Sequence, residues 1–220
     1  MEGISLTVDD KLRIANQLDR LGVHYIEGGW PGANPKDEEF FERARTELDL
    51  TTSKLVAFGS TRRVKGRVDD DPTLANLVAA GTEVVCIVGK AWDYHVTEAL
   101  RTTLEEGVAM VADSVRYLKE QGLVVFYDAE HFFDGYEANP EFSLAVLEGA
   151  AMAGADCLVL CDTNGGSLPG RVEATVRAVV DHLDTPVGVH LHNDTGCGVA
   201  NALAGVAGGA THVQGTINGY

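Results

Sequence analysis

Val187-Gly-Val-His-Leu-His-Asn-Asp194 reads with a period of two. Val187, Val189 and Leu191 fall on one side, and Gly188, His190 and His192 on the other. That is a β-strand, and it places two imidazoles on one face, about 6.7 Å apart along the chain. Asn193 and Asp194 follow where the strand should end, and Thr195-Gly-Cys-Gly198 opens an Ala-rich helix. A strand with a polar C-terminal end that runs straight into a helix is a βα unit, and strand C-termini are where α/β barrels carry chemistry. Alone, an H-x-H pair is a weak signal, because paired histidines are more often hydrogen-bonded side chains than metal ligands. Its meaning depends on the rest of the chain.

The same unit recurs on both sides of this stretch. Thr7, with Asp10 three residues on, is a variant capping box that starts a helix whose apolar face is Leu12, Ala15, Leu18 and Leu21, closed by Gly22. Strands are expected over 23–29, 53–59, 83–89, 123–128, 157–162, 186–192 and 211–217. Helices are expected over 36–46, 72–80, 98–121, 140–153, 169–183 and 196–207. The strands are short and apolar on both faces, as in a parallel sheet. Strict alternation leaves a doubly wound open sheet or a (β/α)8 barrel. No G-x-G-x-x-G follows any strand, so a dinucleotide fold has no support. The chain opens on a helix and stops on a strand, which is the pattern of an α/β, (β/α)8 TIM barrel that is incomplete, with the first strand and final helix missing. Residues 1–220 are then one catalytic TIM-barrel domain, truncated at both ends.

Composition limits the alternatives. The chain has 220 residues, 45% of them hydrophobic, enough for one large core. A net charge of −16 argues against a nucleic-acid partner. No apolar run is long enough to span a membrane, and the N-terminus lacks the pattern of a secretory signal. Cys86, Cys157, Cys161 and Cys197 form no C-x-x-C pair; they read as reduced, mostly buried thiols of a cytoplasmic protein.

Every expected strand ends on polar residues. They include Glu27; Arg62 and Arg63; Lys90, Asp93 and His95; Asp128, Glu130 and His131; Asp162, Thr163 and Asn164; His190 to Asp194; and Asn218. A purely structural barrel has no use for such a ring. It turns the balance for His190 and His192 towards a divalent metal site, with Mg, Mn or Zn suited to imidazole plus oxygen ligands. A metal there would polarise a bound carbonyl, and a 2-oxo acid chelates well. Glu130 is then a candidate for hydrogen bonding or proton transfer, against an exposed loop carboxylate. Thr163 is a donor to a substrate carboxylate or a turn residue. Arg62 holds an acid or phosphate, or makes a surface ion pair. Glu27, Asp128 and His95 complete the expected substrate-binding group. Asn193 and Asp194 stand behind the metal ligands, with Asp194 orienting a histidine or capping the next helix.

On these motifs the chain resembles the metal-dependent Claisen-condensing synthases, which make 2-isopropylmalate, homocitrate and citramalate. Val187, His190, His192, Asn193, Asp194, Gly196 and Gly198 match every constrained position of one family motif, and Asp162-Thr163-Asn-Gly165 looks like its D-T-x-G segment. Residues 29–36, 58–63 and 128–135 look most like the citramalate branch. The resemblance implies a barrel that condenses acetyl-CoA with a 2-oxo acid, pyruvate in that branch, to give (R)-citramalate on a route to isoleucine. It implies that His190 and His192 bind the metal, that Glu130 and Thr163 contact the reacting groups, and that the full-length protein is a homodimer. The family's L-R-D-G-x-Q motif, with an aspartate ligand and a catalytic arginine, is absent, so the chain alone is expected to be inactive or nearly so. Alternatives are 2-isopropylmalate synthase, with 2-oxoisovalerate and leucine biosynthesis; a related acyl-CoA lyase or aldolase; and a non-enzymatic binding or assembly module.

Overall fold

The computed structural model describes residues 5–219. Helices and strands alternate from α1 (Val8–Leu21) and β1 (Tyr25–Gly29) through α2 (Pro35–Glu47), β2 (Lys54–Ser60), α3 (Pro72–Ala79) and β3 (Val84–Lys90). They continue with α4 (Leu104–Glu120), β4 (Val124–Glu130), α5 (Phe132–Ala138), α6 (Pro140–Met152) and β5 (Cys157–Asp162). The last elements are α7 (Pro169–His182), β6 (Val187–Leu191), α8 (Gly198–Ala207) and β7 (His212–Gln214). All seven strands are parallel and pair in sequence order, β1 to β7. Among the described residues the sheet curls as an incomplete TIM barrel, one strand short of the eight that close it.

Alternation along the strands makes two cores. The outer one packs sheet against helices through Leu74, Leu77, Leu118, Val125, Tyr127, Leu147, Leu158, Leu160 and Val189. The inner one fills the barrel with Val56, Val84, Cys86, Phe126, Cys157, Val159 and Cys161. At its N-terminal end Tyr25 packs edge-on against Phe126 at 4.9 Å, and His212 is tilted against both, at 5.0 Å from Phe126 and 5.8 Å from Tyr25. Apolar filling therefore occupies the lower barrel, and polar side chains are left to the strand C-termini.

Helix starts follow their sequence signals. Thr7 and Asp10 form a reciprocal capping box, and Asn34, Asp71, Thr103 and Asn139 cap four other helices through their side chains. Pro35, Pro72, Pro140 and Pro169 stand in first turns, where a missing N–H costs nothing.

Three expectations change. The helix read over 98–121 is two elements. A π-helical turn covers His95–Ala99, Arg101 takes φ +54°, and α4 begins only after Thr103, whose hydroxyl accepts the Glu106 N–H. A helix unexpected from sequence, α5, follows β4, entered through a left-handed His131. The final strand shrinks from 211–217 to His212–Gln214, and a 3-10 turn takes Ile217–Gly219.

Candidate metal and substrate site

Strand register builds the site. His190 on β6 and His192, the residue just past its end, bring their Nε2 atoms 3.2 Å apart at the barrel mouth. Two nitrogens each about 2.0–2.1 Å from one tetrahedral ion would be about 3.3 Å apart. The pair is thus spaced as metal ligands are, and two bare lone pairs so close repel unless a cation or proton sits between them. The donor set fits a divalent ion, with further ligands to come from oxygen. His192 is exposed and His190 half-buried, so the nitrogens are accessible from the mouth.

Below them lies an acidic pocket. Donor atoms of Asp128, Cys161 and His190 lie within 4.8 Å of one another, as do those of Glu27, Cys86 and Asp128. Asp128 is 3% exposed, and its Oδ1 accepts from Cys86 Sγ at 3.1 Å and Gln214 Nε2 at 2.9 Å. Desolvation pushes its carboxyl up, while the hydrogen bond from Cys86 and the nearby His190 pull it back. Burial pushes the thiols of Cys86 and Cys161 far up, which keeps them protonated and makes the imidazole pair the better metal ligands. Glu27 projects from β1 just before a bulge at Gly28. Its carboxyl is pushed up to about 7, first by desolvation and then by Asp128. It also retains surface towards the open side of the sheet, and solvent there tempers that shift.

A second cluster stands above the acidic pocket. Glu130 lies two residues beyond Asp128 on the same face of β4, opposite Lys90 on β3, with which it forms an ion pair. The Thr163 hydroxyl accepts the backbone N–H of His131 at 2.9 Å, which leaves its own proton free to donate. His95 packs edge-on against His131 at 4.5 Å and beside Trp92 at 4.8 Å. Its Nδ1 is buried without a partner, and desolvation, followed by the neighbouring His131, lowers its pKa. Glu130, Lys90, Thr163 and His95 thus gather around the same strand ends.

Some expected residues have other duties. Arg62 is 5% exposed and turned to the outer layer, where Glu106 at 2.7 Å and Asp113 at 2.9 Å neutralise it. Its backbone N–H is held by Ser114 at 2.8 Å. A guanidinium satisfied by two α4 carboxylates is unavailable to a substrate at the barrel mouth. Asp128 is likewise sealed below the mouth and bonded to protein groups. Asn193 Oδ1 accepts the N–H of Gly198, the first residue of α8, at 2.8 Å. The Asp194 carboxylate lies over Gly165, where an added Cβ would meet Oδ2 at 2.3 Å. Neither residue is hydrogen-bonded to a histidine; the partner of His190 is Gln214, at 2.6 Å from Nδ1. Gln214 was not among the expected residues. The signal was its place in an inward-facing position of β7, opposite His190.

The class is an α/β-barrel protein that carries an imidazole pair, a carboxylate–lysine pair and a free threonine proton at its strand ends, where such barrels place their chemistry. Comparison with known proteins narrows the class: an HMGL-like family model matches residues 1–220, and the chain belongs to that family. It is 57% identical over 219 residues to the (R)-citramalate synthase of Streptomyces coelicolor, covering 100% of this chain and 41% of that protein. The 2-isopropylmalate synthase of Sulfolobus acidocaldarius is 35% identical, covering 99% of this chain and 53% of that protein. The chain therefore spans less than half the length of its citramalate synthase relatives. Among solved structures, the HMG-CoA lyase of Bacillus subtilis superposes with a TM-score of 0.78 at 20% identity, over 97% of this chain and 71% of that one. The HMG-CoA lyase of Pseudomonas aeruginosa gives 0.77 at 18% identity, over 98% and 71%. At these identities the structures speak to fold.

Proposed function

We propose that residues 1–220 form the catalytic barrel of an acyltransferase that condenses acetyl-CoA with a 2-oxo acid, pyruvate, to give (R)-citramalate. The observation that carries this is the His190–His192 pair at ligand spacing, at the same strand-end side of the barrel as Glu130 and Thr163, in a chain 51–57% identical to five citramalate synthases. A divalent ion held by His190 and His192 would supply Lewis acidity to the keto oxygen of the 2-oxo acid. Thr163 donates its free hydroxyl proton to the substrate carboxylate. Glu130, held by Lys90, contacts the reacting groups and moves a proton as the acetyl methyl loses one and its enolate attacks the keto carbon. His95 and Trp92 wall the mouth on the side of β3, and Glu27 lines it on the side of β1. Hydrolysis of the thioester then makes the step irreversible.

On this proposal the reaction belongs to isoleucine biosynthesis, and the full-length protein works as a homodimer in the cytoplasm. Among the described residues no helix is long and apolar enough to cross a membrane. The reading is tested by following CoA release from acetyl-CoA in the full-length protein with pyruvate against 2-oxoisovalerate. Pyruvate is expected to be turned over with the higher kcat/KM. Preference for 2-oxoisovalerate would transfer the assignment to 2-isopropylmalate synthase, whose relatives stand at 35% identity. CoA release with neither acid would overturn the condensation altogether.

A further inference from the structure

Under the histidine pair runs a line of side chains that the condensation does not itself require. Asp128 on β4, Gln214 on β7 and His190 on β6 touch in series inside the barrel, with Cys86 on β3 at the far end. Their order fixes where one proton sits. An amide nitrogen only donates, and Asp128 Oδ1 already serves as the acceptor of the Cys86 thiol. Gln214 Nε2 is 2.9 Å from Asp128 Oδ1 and 3.7 Å from Cys86 Sγ, so the amide is oriented with its NH2 group towards β4 and β3. Its Oε1 must then face β6, where it lies 2.6 Å from His190 Nδ1. An acceptor at that distance requires a proton on Nδ1. A neutral imidazole has only one N–H, so Nε2 carries the lone pair, and Nε2 is the atom 3.2 Å from His192 Nε2.

We infer that Gln214, anchored by Asp128, is a positioning residue that selects the Nδ1–H tautomer of His190 and aims its bare Nε2 at the metal position. Free neutral histidine favours the other tautomer, with the proton on Nε2, where it blocks coordination. The relay reverses that preference before any metal arrives, and it holds the ring plane through a short bond from the directly paired strand. Asp128 is therefore sealed in the barrel for a reason other than touching substrate. At 3% exposed it supplies the nearer of two acceptors, with Cys86 Sγ the farther, that keep the glutamine from flipping. The competing network reverses every donor. A protonated Asp128 would donate to a flipped Gln214, whose amide would donate to Nδ1 and leave the proton on Nε2.

The tautomer is read directly from two-bond nitrogen–proton correlations in metal-free protein labelled at histidine nitrogen, with His190 assigned by comparison with His190→Asn. The Nδ1–H form is expected in the wild type. Gln214→Leu is expected to shift the ring towards Nε2–H, and Gln214→Glu, which keeps an acceptor opposite Nδ1, to retain Nδ1–H. Mn²⁺ affinity by titration calorimetry is expected to fall roughly 10–100-fold in Gln214→Leu, the usual effect of losing an outer partner of a ligating histidine, and to be largely kept in Gln214→Glu. An Nε2–H ring in the wild-type protein overturns the inference without recourse to any variant. So does a folded Gln214→Leu protein with unchanged tautomer and unchanged Mn²⁺ affinity. The metal-directed half of the inference rests on the function proposed above, and the two fail separately: a wild-type protein with the Nδ1–H ring that binds no Mn²⁺ refutes the metal site and leaves the relay standing.

Discussion

Gly165 is the place where one added methyl group should do the most damage to the site. It takes φ +61°, and an added Cβ would lie 2.9 Å from the backbone nitrogen of Asp194 and 2.3 Å from its Oδ2. Two costs then add. A left-handed alanine is about 1–2 kcal/mol worse than glycine. Overpacking against backbone that cannot rotate away adds about 1–3 kcal/mol, even after the carboxylate swings aside. Gly165→Ala should therefore lose about 2–5 kcal/mol. Two other glycines separate the terms. Gly22 has φ +89° with nothing within 4 Å, so Gly22→Ala should show the torsional cost alone, about 1–2 kcal/mol. Gly166 has open space and no positive φ, so Gly166→Ala should be neutral or stabilising by up to about 1 kcal/mol. Urea unfolding of the three variants, followed by circular dichroism, measures the series. Asp194 follows His192 by two residues, so Gly165→Ala should also weaken divalent-metal binding, whereas Gly22→Ala should not. A Gly165→Ala protein no less stable than Gly22→Ala would refute the close approach of the two loops.

Three further outcomes are expected. Replacing His190 or His192 with alanine should cost more metal affinity than the roughly 10–100-fold of an outer partner, while leaving the unfolding midpoint nearly unchanged; titration calorimetry and thermal unfolding check the two halves. Arg62→Met should destabilise by about 2–3 kcal/mol in urea, less than the 3–5 of a fully buried pair because Glu106 and Asp113 keep some solvent, and should leave the KM for a 2-oxo acid unchanged. Asp19, whose carboxylate accepts the N–H groups of Ser53, Thr52 and Thr51, is held well below the usual carboxylate range. A depressed native pKa gives stability that is present in full above about pH 4 and is lost as pH falls below it. Asp19→Asn should thus be less stable at pH 7 and show a flatter acid limb; parallel curves for variant and wild type from pH 6 to pH 3 would contradict it.

The parallel barrel was legible because two periods write it into the sequence. Inward and outward residues alternate along β6, and Thr7-x-x-Asp10 and the N-terminal prolines mark helix starts. Periodicity misled where it ran through a break. Val96, Leu100, Leu104 and Val108 keep a four-residue spacing across Arg101 to Thr103, so one helix was expected where the backbone turns and restarts. The missed α5 begins with a left-handed residue and contains Gly135, whose Cα packs so closely that a Cβ would meet Ala91 O at 2.5 Å; its signal is tertiary contact. Site legibility divides the same way. His190, His192, Glu130 and Thr163 are visible as polar strand ends. The relay through Gln214 and Asp128 joins residues 86 apart and needs the register of strands that sequence does not supply. Arg62 looks like an anion hook until the carboxylates of α4, more than 40 residues on, are seen to hold it.

The loops after β4, β5 and β6 are stitched together in sequence. His131 bonds Thr163, Asn164 bonds Asp134, and Thr195 donates to the carbonyl of Gly165 through both its backbone and its hydroxyl. Groups that share a network do not contribute additively. Substitutions in these loops should therefore be strongly epistatic, so that a change harmful in one becomes tolerable once its stitched neighbour has changed. On the proposed function, adapting this mouth to a bulkier oxo acid by single replacements would stall on unstable intermediates. The stitch that paired changes can exchange is Asn164 with Asp134, which joins side chain to side chain, whereas those at His131 and Gly165 use backbone atoms that survive substitution.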